Sequence, residues 1–174
     1  VTHVLVAALQ SVGGLKPTVK RVQRLAVGDR QFLLRCLGPR LVGDSVWHSR
    51  DCPACGQRLI VALRYSNLPV KTAGTGYPFV EVRTSLRAAP VRFRVPTGED
   101  QEAIHCDSSK MPLRRMLARR LAADEAIESA DFSEADLEQI EEAVEAIAPE
   151  IGLRGVADCP KCGAPCTVEF DLYA

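Results

Sequence analysis

Two six-residue stretches, Asp51-Cys52-Pro53-Ala54-Cys55-Gly56 and Asp158-Cys159-Pro160-Lys161-Cys162-Gly163, differ at a single position and stand far apart in the chain. In a Cys-Pro-x-Cys-Gly stretch the proline restricts the backbone, two sulfurs converge across a tight turn, and the glycine is free to take a positive φ. Two such turns supply four thiolates, the donor set of a tetrahedral Zn²⁺ with Zn–S distances of roughly 2.3 Å. Cys52, Cys55, Cys159 and Cys162 are therefore the expected ligands of one shared zinc. Four protein donors leave no open position for a substrate, so the expected role is structural. Closing a loop of about 100 residues costs on the order of 4–5 kcal/mol, well below the roughly 10–16 kcal/mol of structural zinc binding. The rival chemistry, a thiol redox pair, calls for a helix starting at the motif to lower one thiol pKa. Strand patterns follow here instead.

Three further cysteines and the histidines make weaker candidates. Cys166 lies on the apolar face of the last strand and reads as a buried thiol. His48, four residues before Cys52, either substitutes for a ligand, stands near the site, or is an ordinary strand or loop histidine. His105 and Cys106 are adjacent, so in a strand they point to opposite faces. Cys36 is expected in a helix core. An odd total of seven cysteines, paired as C-x-x-C, points to metal ligation in a reducing compartment.

The elements that position the cysteines follow from periodicity. After the first turn Leu59, Val61, Leu63 and Tyr65 alternate with polar residues; after the second, Cys166, Val168, Phe170 and Leu172 do the same. Before the first, a short helix is expected, capped by Asp29, with Phe32, Leu33, Cys36 and Leu37 inward and ended by Gly38 and Pro39. Residues 79–86 and 91–95 are expected to pair as a hairpin, Val80, Val82 and Leu86 facing with Val91, Phe93 and Val95, joined by Arg87-Ala88-Ala89-Pro90. Residues 111–127 are expected to form a basic helix with Leu113, Met116, Leu117 and Leu121 inward. Ser133 and Asp136 form a capping box for an acidic helix whose Leu137, Ile140, Val144 and Ile147 share one face. The fold class is α+β: a zinc ribbon of two Cys-Pro-x-Cys-Gly knuckles with an inserted β-hairpin and helical pair. The expected divisions are an N-terminal helical segment, read as truncated, over 1–50; a discontinuous ribbon over 51–66 and 156–174; and the insertion over 67–155.

Net charge is zero by cancellation. Residues 1–120 carry 20 Lys/Arg against 8 Asp/Glu, and residues 121–174 carry 2 against 14. Such polarity favours a charged partner, head-to-tail association or internal docking of the halves. Arg92, Arg94, Arg114, Arg115, Arg119 and Arg120 are the candidate partner-binding residues, either a solvated face or a docking surface for an acidic protein or a phosphate backbone. No phosphate-binding glycine loop, nucleophile elbow or H-E-x-x-H motif occurs, so no enzyme activity and no small-molecule substrate are expected. No stretch has the pattern of a membrane span or a signal peptide, and a cytoplasmic location is expected.

The run from Leu25 to Leu68, the later Val91–Asp100, a helical stretch and the closing Gly155–Ala174 together resemble the zinc-ribbon proteins of phage tail and contractile injection system clusters. These are described as similar to baseplate hub assembly proteins of contractile-tailed phages. The resemblance implies a non-enzymatic assembly chaperone or minor baseplate component, acting on hub, spike or tube-initiating subunits, with metal positions at Cys52, Cys55, Cys159 and Cys162. The chain departs from the family at Cys166, where an aromatic residue is usual, and in a shorter N-terminal helical region. The alternative expectation is a nucleic-acid-binding zinc ribbon using the basic half. Nine aromatic residues, few of them interleaved with arginines, argue against a stacking platform for single strands.

Overall fold

The structure is a computed structural model that describes residues 1–85, 87–106, 111–123 and 132–172. It is α+β, with helices α1 (Thr2–Ala8), α2 (Val19–Gln23), α3 (Val27–Leu41), α4 (Gly98–Cys106), α5 (Leu113–Leu121) and α6 (Glu134–Ile147). The strands are β1 (Ser45–Asp51), β2 (Arg58–Arg64), β3 (Val70–Lys71), β4 (Phe79–Thr84), β5 (Arg87–Arg94), β6 (Glu150–Ile151), β7 (Arg154–Asp158) and β8 (Pro165–Glu169). Three antiparallel hairpins, β1–β2, β4–β5 and β7–β8, carry most of the strand pairing. Among the described residues no helix is long and apolar enough to cross a membrane.

The chain divides into two compact units. One holds Gln31–Lys71 and Ile151–Ala174, with Val1; the other holds Thr2–Arg30 and Thr72–Glu150. These boundaries differ from the sequence divisions at 50, 66 and 156. The later part of α3 and all of β1 belong with the first turn, and the N-terminal helices belong with the central hairpin.

In the first unit, β1 precedes the first cysteine pair as β2 follows it, and β7 and β8 flank the second pair likewise. Leu59 and Tyr65, then Cys166, Val168, Phe170 and Leu172, are all buried, as their alternation requires. Tyr65 meets Phe170 edge-on, ring centroids 4.7 Å apart. Helix α3 differs from its expected form. It continues through Gly38 and Pro39 to Leu41, and its packed positions are Leu34 and Gly38, while Phe32 and Cys36 are exposed. A Cβ at Gly38 would lie 2.4 Å from the Tyr65 ring, so this glycine is a notch for the tyrosine, not a helix stop. Arg35 then ties the helix down, donating to the Leu68 carbonyl at 3.2 Å and the Ser66 carbonyl at 2.7 Å.

In the second unit the β4–β5 hairpin forms with Val80 opposite Phe93 and Val82 opposite Val91. Arg87-Ala88-Ala89-Pro90 is part of β5, not the connection; the register shifts between Val82 and Thr84 instead. The expected inward Leu86 lies outside the described residues. Val82, Val91, Phe93 and Val95 pack in one core with Ala118 and Leu121 of α5 and Leu137, Ile140, Val144 and Ile147 of α6. The capping box is present: Ser133 Oγ accepts from the Asp136 N–H at 3.1 Å, and Asp136 accepts from the Ser133 N–H at 3.0 Å. Asp136 also accepts from the N–H and hydroxyl of Ser85, at 2.7 and 2.5 Å, tying the helix to the hairpin end. Burial opposes the charged form of Asp136, but the Ser133 and Ser85 donors outweigh it and hold the carboxyl down at about 2.

Helix α5 is shorter than expected, and residues 124–127 of the predicted basic helix lie outside the described residues. Ala118 and Leu121 are its buried positions, whereas Leu113 is exposed. Asp29 lies within the first turn of α3 and accepts from the Tyr77 hydroxyl at 2.5 Å, in place of the expected cap role. His105 and Cys106 end helix α4, exposed, so the strand geometry considered for them does not apply.

Candidate metal centre

Each cysteine pair sits at the tip of a hairpin, and the two tips use the same hydrogen bonds. The Cys52 N–H donates to the Gln57 carbonyl and the Gly56 N–H to the Cys52 carbonyl, both at 2.9 Å. The Cys159 N–H donates to the Ala164 carbonyl at 2.9 Å and the Gly163 N–H to the Cys159 carbonyl at 2.8 Å. Gly56 and Gly163 have φ of 69° and 71°, the left-handed conformation that a side chain would disfavour. The doubled sequence is thus a doubled backbone conformation.

The turns aim their N–H groups at sulfur. Cys52 receives those of Ala54 and Cys55, and Cys159 those of Lys161 and Cys162. Cys55 receives the Gln57 N–H and Cys162 the Ala164 N–H. Such donors stabilise thiolates, the form in which cysteine binds a metal.

One sulfur from each of Cys52, Cys55, Cys159 and Cys162 lies within 4.8 Å of the other three. The Sγ separations of Cys52 from Cys162 and of Cys55 from Cys159 are both 3.7 Å. A regular tetrahedron with metal–sulfur bonds of roughly 2.3 Å has edges of about 3.8 Å, so the cluster fits a four-coordinate metal. All four cysteines are free of disulfides. Cys52 and Cys159 are buried, Cys55 is half-buried and Cys162 is exposed, giving the site a covered side and an open one.

Four sulfurs this close cannot all carry charge without a cation. Burial opposes the Cys52 thiolate, yet the Ala54 and Cys55 N–H groups and the neighbouring thiols draw its pKa down to about 6. Cys159 is lowered in the same way against its own burial. The Gln57 N–H favours the Cys55 thiolate, but burial and the other three sulfurs push Cys55 up to about 12. Cys162 also rises, the Ala164 N–H being outweighed by burial and by Cys159 and Cys52. Without a cation the four sulfurs oppose one another's ionisation, and a divalent cation removes the conflict by displacing their protons.

The outer candidates separate clearly from the four. Cys166 is buried in the cluster formed by Cys52, Leu59 and Cys159, and its thiol is directed at the Ala164 carbonyl at 3.5 Å. Burial, then Cys52, raises its pKa. His48 packs against Phe170 with ring centroids 5.8 Å apart and is no member of the cluster.

The six candidate partner-binding arginines all belong to the second unit and are already engaged. Arg92 lies over the Phe79 ring, 3.9 Å from its centroid. Arg94 and Arg120 converge on buried Asp100, at 2.5 and 3.3 Å. Arg114 reaches Glu141 at 2.6 Å and Arg115 reaches Glu134 at 2.8 Å, joining α5 to α6. Arg119 contacts the Met111 sulfur at 3.8 Å. Trp47 and Ile60, 69% and 70% exposed on the outer face of β1–β2, were not singled out by sequence. The signal was the alternation of Val46 and His48 with Trp47, which puts the indole on the face opposite the core.

No model of a known protein family, no curated protein and no solved structure matches this chain.

Proposed function

We propose that this protein is a non-enzymatic component or assembly chaperone of a phage-tail-like contractile injection particle, its two-hairpin ribbon held by one structural Zn²⁺. The observation that carries the structural-metal reading is the cysteine tetrad itself. Its four protein donors come from two hairpin tips with repeated backbone geometry, and they fill a tetrahedral shell. Zinc is favoured because a closed set of four thiolates suits it and it brings no redox chemistry. The particle and its hub, spike or tube-initiating subunits rest on the sequence resemblance. The exposed Trp47 and Ile60 add support for a protein-binding role, since tryptophan is enriched at the energetic centres of protein interfaces. The nucleic-acid reading would draw on Arg92, Arg94 and the α5 arginines, and their engagement with Phe79, Asp100, Glu134 and Glu141 counts against it.

The test is to tag the chain in its native host, lyse gently, sediment the extract and identify co-sedimenting proteins by mass spectrometry. Fixed stoichiometry in a heavy particle with sheath, tube and baseplate proteins makes it a structural component. Recovery only in light fractions with one hub or spike subunit makes it a chaperone. Recovery with nuclease-sensitive material and none of these proteins rejects the proposal.

A further inference from the structure

A two-stranded hairpin leaves one edge of each strand without a ladder, and the register decides which backbone groups stand there. At the two ends of β1–β2 the Tyr65 N–H donates to the Asp44 carbonyl and the Cys52 N–H to the Gln57 carbonyl. Opposite residues of an antiparallel pair alternate between bonded and non-bonded. Val46–Leu63, His48–Val61 and Arg50–Leu59 are therefore the bonded pairs, and Arg58, Ile60, Ala62 and Arg64 turn their backbone outward. No third strand joins this sheet, and among the described residues the N–H and C=O groups of Ile60 and Ala62 have no partner. All four outward residues are exposed.

Strand β2 is composed for pairing. Its five central residues, Leu59 to Leu63, are all apolar and include no Gly or Pro, and such a strand on an open edge is a template for another. In the other cysteine hairpin, the first outward position of β8 is Pro165, which has no N–H to offer.

An arginine stands at each end of the five. The Arg58 Nε donates to the Ser49 hydroxyl at 2.8 Å, a neutral partner that leaves the charge uncompensated. Asp51 lies opposite Arg58 in the register but forms no ion pair with it. Arg64 forms no ion pair among the described residues. Asp44 has its pKa lowered first by the Ser66 hydroxyl and N–H, with Arg64 a lesser contributor, and both its oxygens accept from Ser66. A second copy is a poor match for this edge. When all seven residues of two β2 strands pair antiparallel, Arg58 of each meets Arg64 of the other, and like charges directly opposite are destabilising.

We propose that the free edge of β2 is a strand-addition site for an extended segment of a partner protein, with a carboxylate at each end of an apolar centre. Ile60 and Ala62 supply the main-chain hydrogen bonds, and alternate side chains supply the choice of sequence. Positions 1, 3, 5 and 7 of the segment share the exposed face with Arg58, Ile60, Ala62 and Arg64. Acids belong at 1 and 7 and apolar residues at 3 and 5. The residue beside Ala62 is large, because alanine leaves room between it and Trp47, which stands opposite Ala62 on β1. This inference rests on the protein-binding reading above and adds the chemistry of the bound segment; the identity of the particle does not enter it.

The experiment is fluorescence anisotropy of a labelled peptide, Glu-Thr-Leu-Thr-Leu-Thr-Glu, titrated with the metal-loaded full chain. The probe is symmetric and serves either strand direction. It should bind, and the emission of Trp47, the only tryptophan, should change as it does. Methylating the amide nitrogens of its two leucines removes two ladder hydrogen bonds and should weaken binding by about tenfold. Ala62→Pro should weaken it as well, since that N–H faces away from β1. Arg58→Glu with Arg64→Glu should reverse the preference between this peptide and its lysine-ended counterpart. Retained metal and an unchanged circular dichroism spectrum qualify each variant as folded, and the methylated peptide tests the ladder with the protein unaltered. Absence of binding at about millimolar peptide overturns the proposal, as does binding that ignores methylation. Self-association of the chain that Ala62→Pro abolishes would give the edge to a second copy instead. A chain that co-sediments with particle proteins yet ignores the peptides loses this inference and keeps the function proposed above.

Discussion

The sulfurs of Cys52 and Cys162 lie 3.7 Å apart, and those of Cys55 and Cys159 are equally close. Both contacts run from one hairpin tip to the other. Neither tip supplies more than two donors, so whatever binds there joins the segment around Cys52 to the segment around Cys159. A metal held there would be a cross-link of the first unit rather than an ornament on it.

Removal of the metal should therefore unfold the two cysteine hairpins. The chain is expected to hold one zinc, measured by elemental analysis, with four cysteines protected from thiol reagents until a chelator is added. Structural zinc binding contributes about 10–16 kcal/mol, more than the whole stability of many domains. Cys159→Ser should abolish stoichiometric zinc and the hydrogen-exchange protection of β1, β2, β7 and β8. Cys166→Ser should leave zinc stoichiometry unchanged; loss of zinc from that variant would make Cys166 a ligand.

Gly38→Ala tests the packing of α3. The added methyl would overlap the Tyr65 ring, and overpacking of this kind costs about 1–3 kcal/mol. Alanine is otherwise the better helix former by about 1 kcal/mol. A urea titration should find the variant less stable than wild type, and Tyr65→Leu in the same chain should recover part of the loss. A stabilised Gly38→Ala would show that the notch is not needed.

Asp100 is 1% exposed and accepts from Arg94, Arg120 and the N–H and hydroxyl of Thr97. Removing one partner of a buried ion pair costs about 3–5 kcal/mol because the other charge is left uncompensated. Asp100→Ala leaves Arg94 and Arg120, which are partly exposed and can be hydrated, so its cost should fall below that range by denaturant unfolding. Arg115→Ala, which removes a partly exposed pair, should cost about 1 kcal/mol or less.

The Asp136 carboxyl is depressed in the folded chain to about 2. A lowered folded pKa contributes stability that is complete above the unfolded carboxylate range, near pH 4, and is lost as pH falls toward 2. Asp136→Asn should therefore flatten the acid limb of stability between about pH 4 and pH 2. Ser133→Ala should cost about 1 kcal/mol at neutral pH through loss of the cap. An acid limb unchanged by Asp136→Asn would assign it to other carboxylates.

The metal tetrad was legible because its spacing is local: each turn declares itself in six residues, and the two declarations match. Helix α6 was legible for a similar reason, since Ser133, Asp136 and the Leu137–Ile140–Val144–Ile147 stripe lie within one short window. What was hidden depended on distant partners. Gly38 and Pro39 look like a stop until Tyr65 is seen against the helix. Strand β1 has few apolar residues, and its pairing with β2 gives Ser45–Asp51 its strand. The α5 arginines look like an open basic face in sequence; Glu134 and Glu141 are brought to them only by folding.

The order of the cysteine pairs along the chain also sets an order in time. Synthesis runs from the N-terminus, and domains fold as units while it proceeds. Every residue of the second unit, through Glu150, has been made before Cys159. Cys52 and Cys55 must then wait, with half a coordination shell, until nearly the whole of this sequence has been translated. A stalled or truncated product that lacks the second pair cannot complete the tetrad. A metal in the tetrad would thus record that synthesis had passed Cys162, and the first unit closes after the second although its first strands are made early.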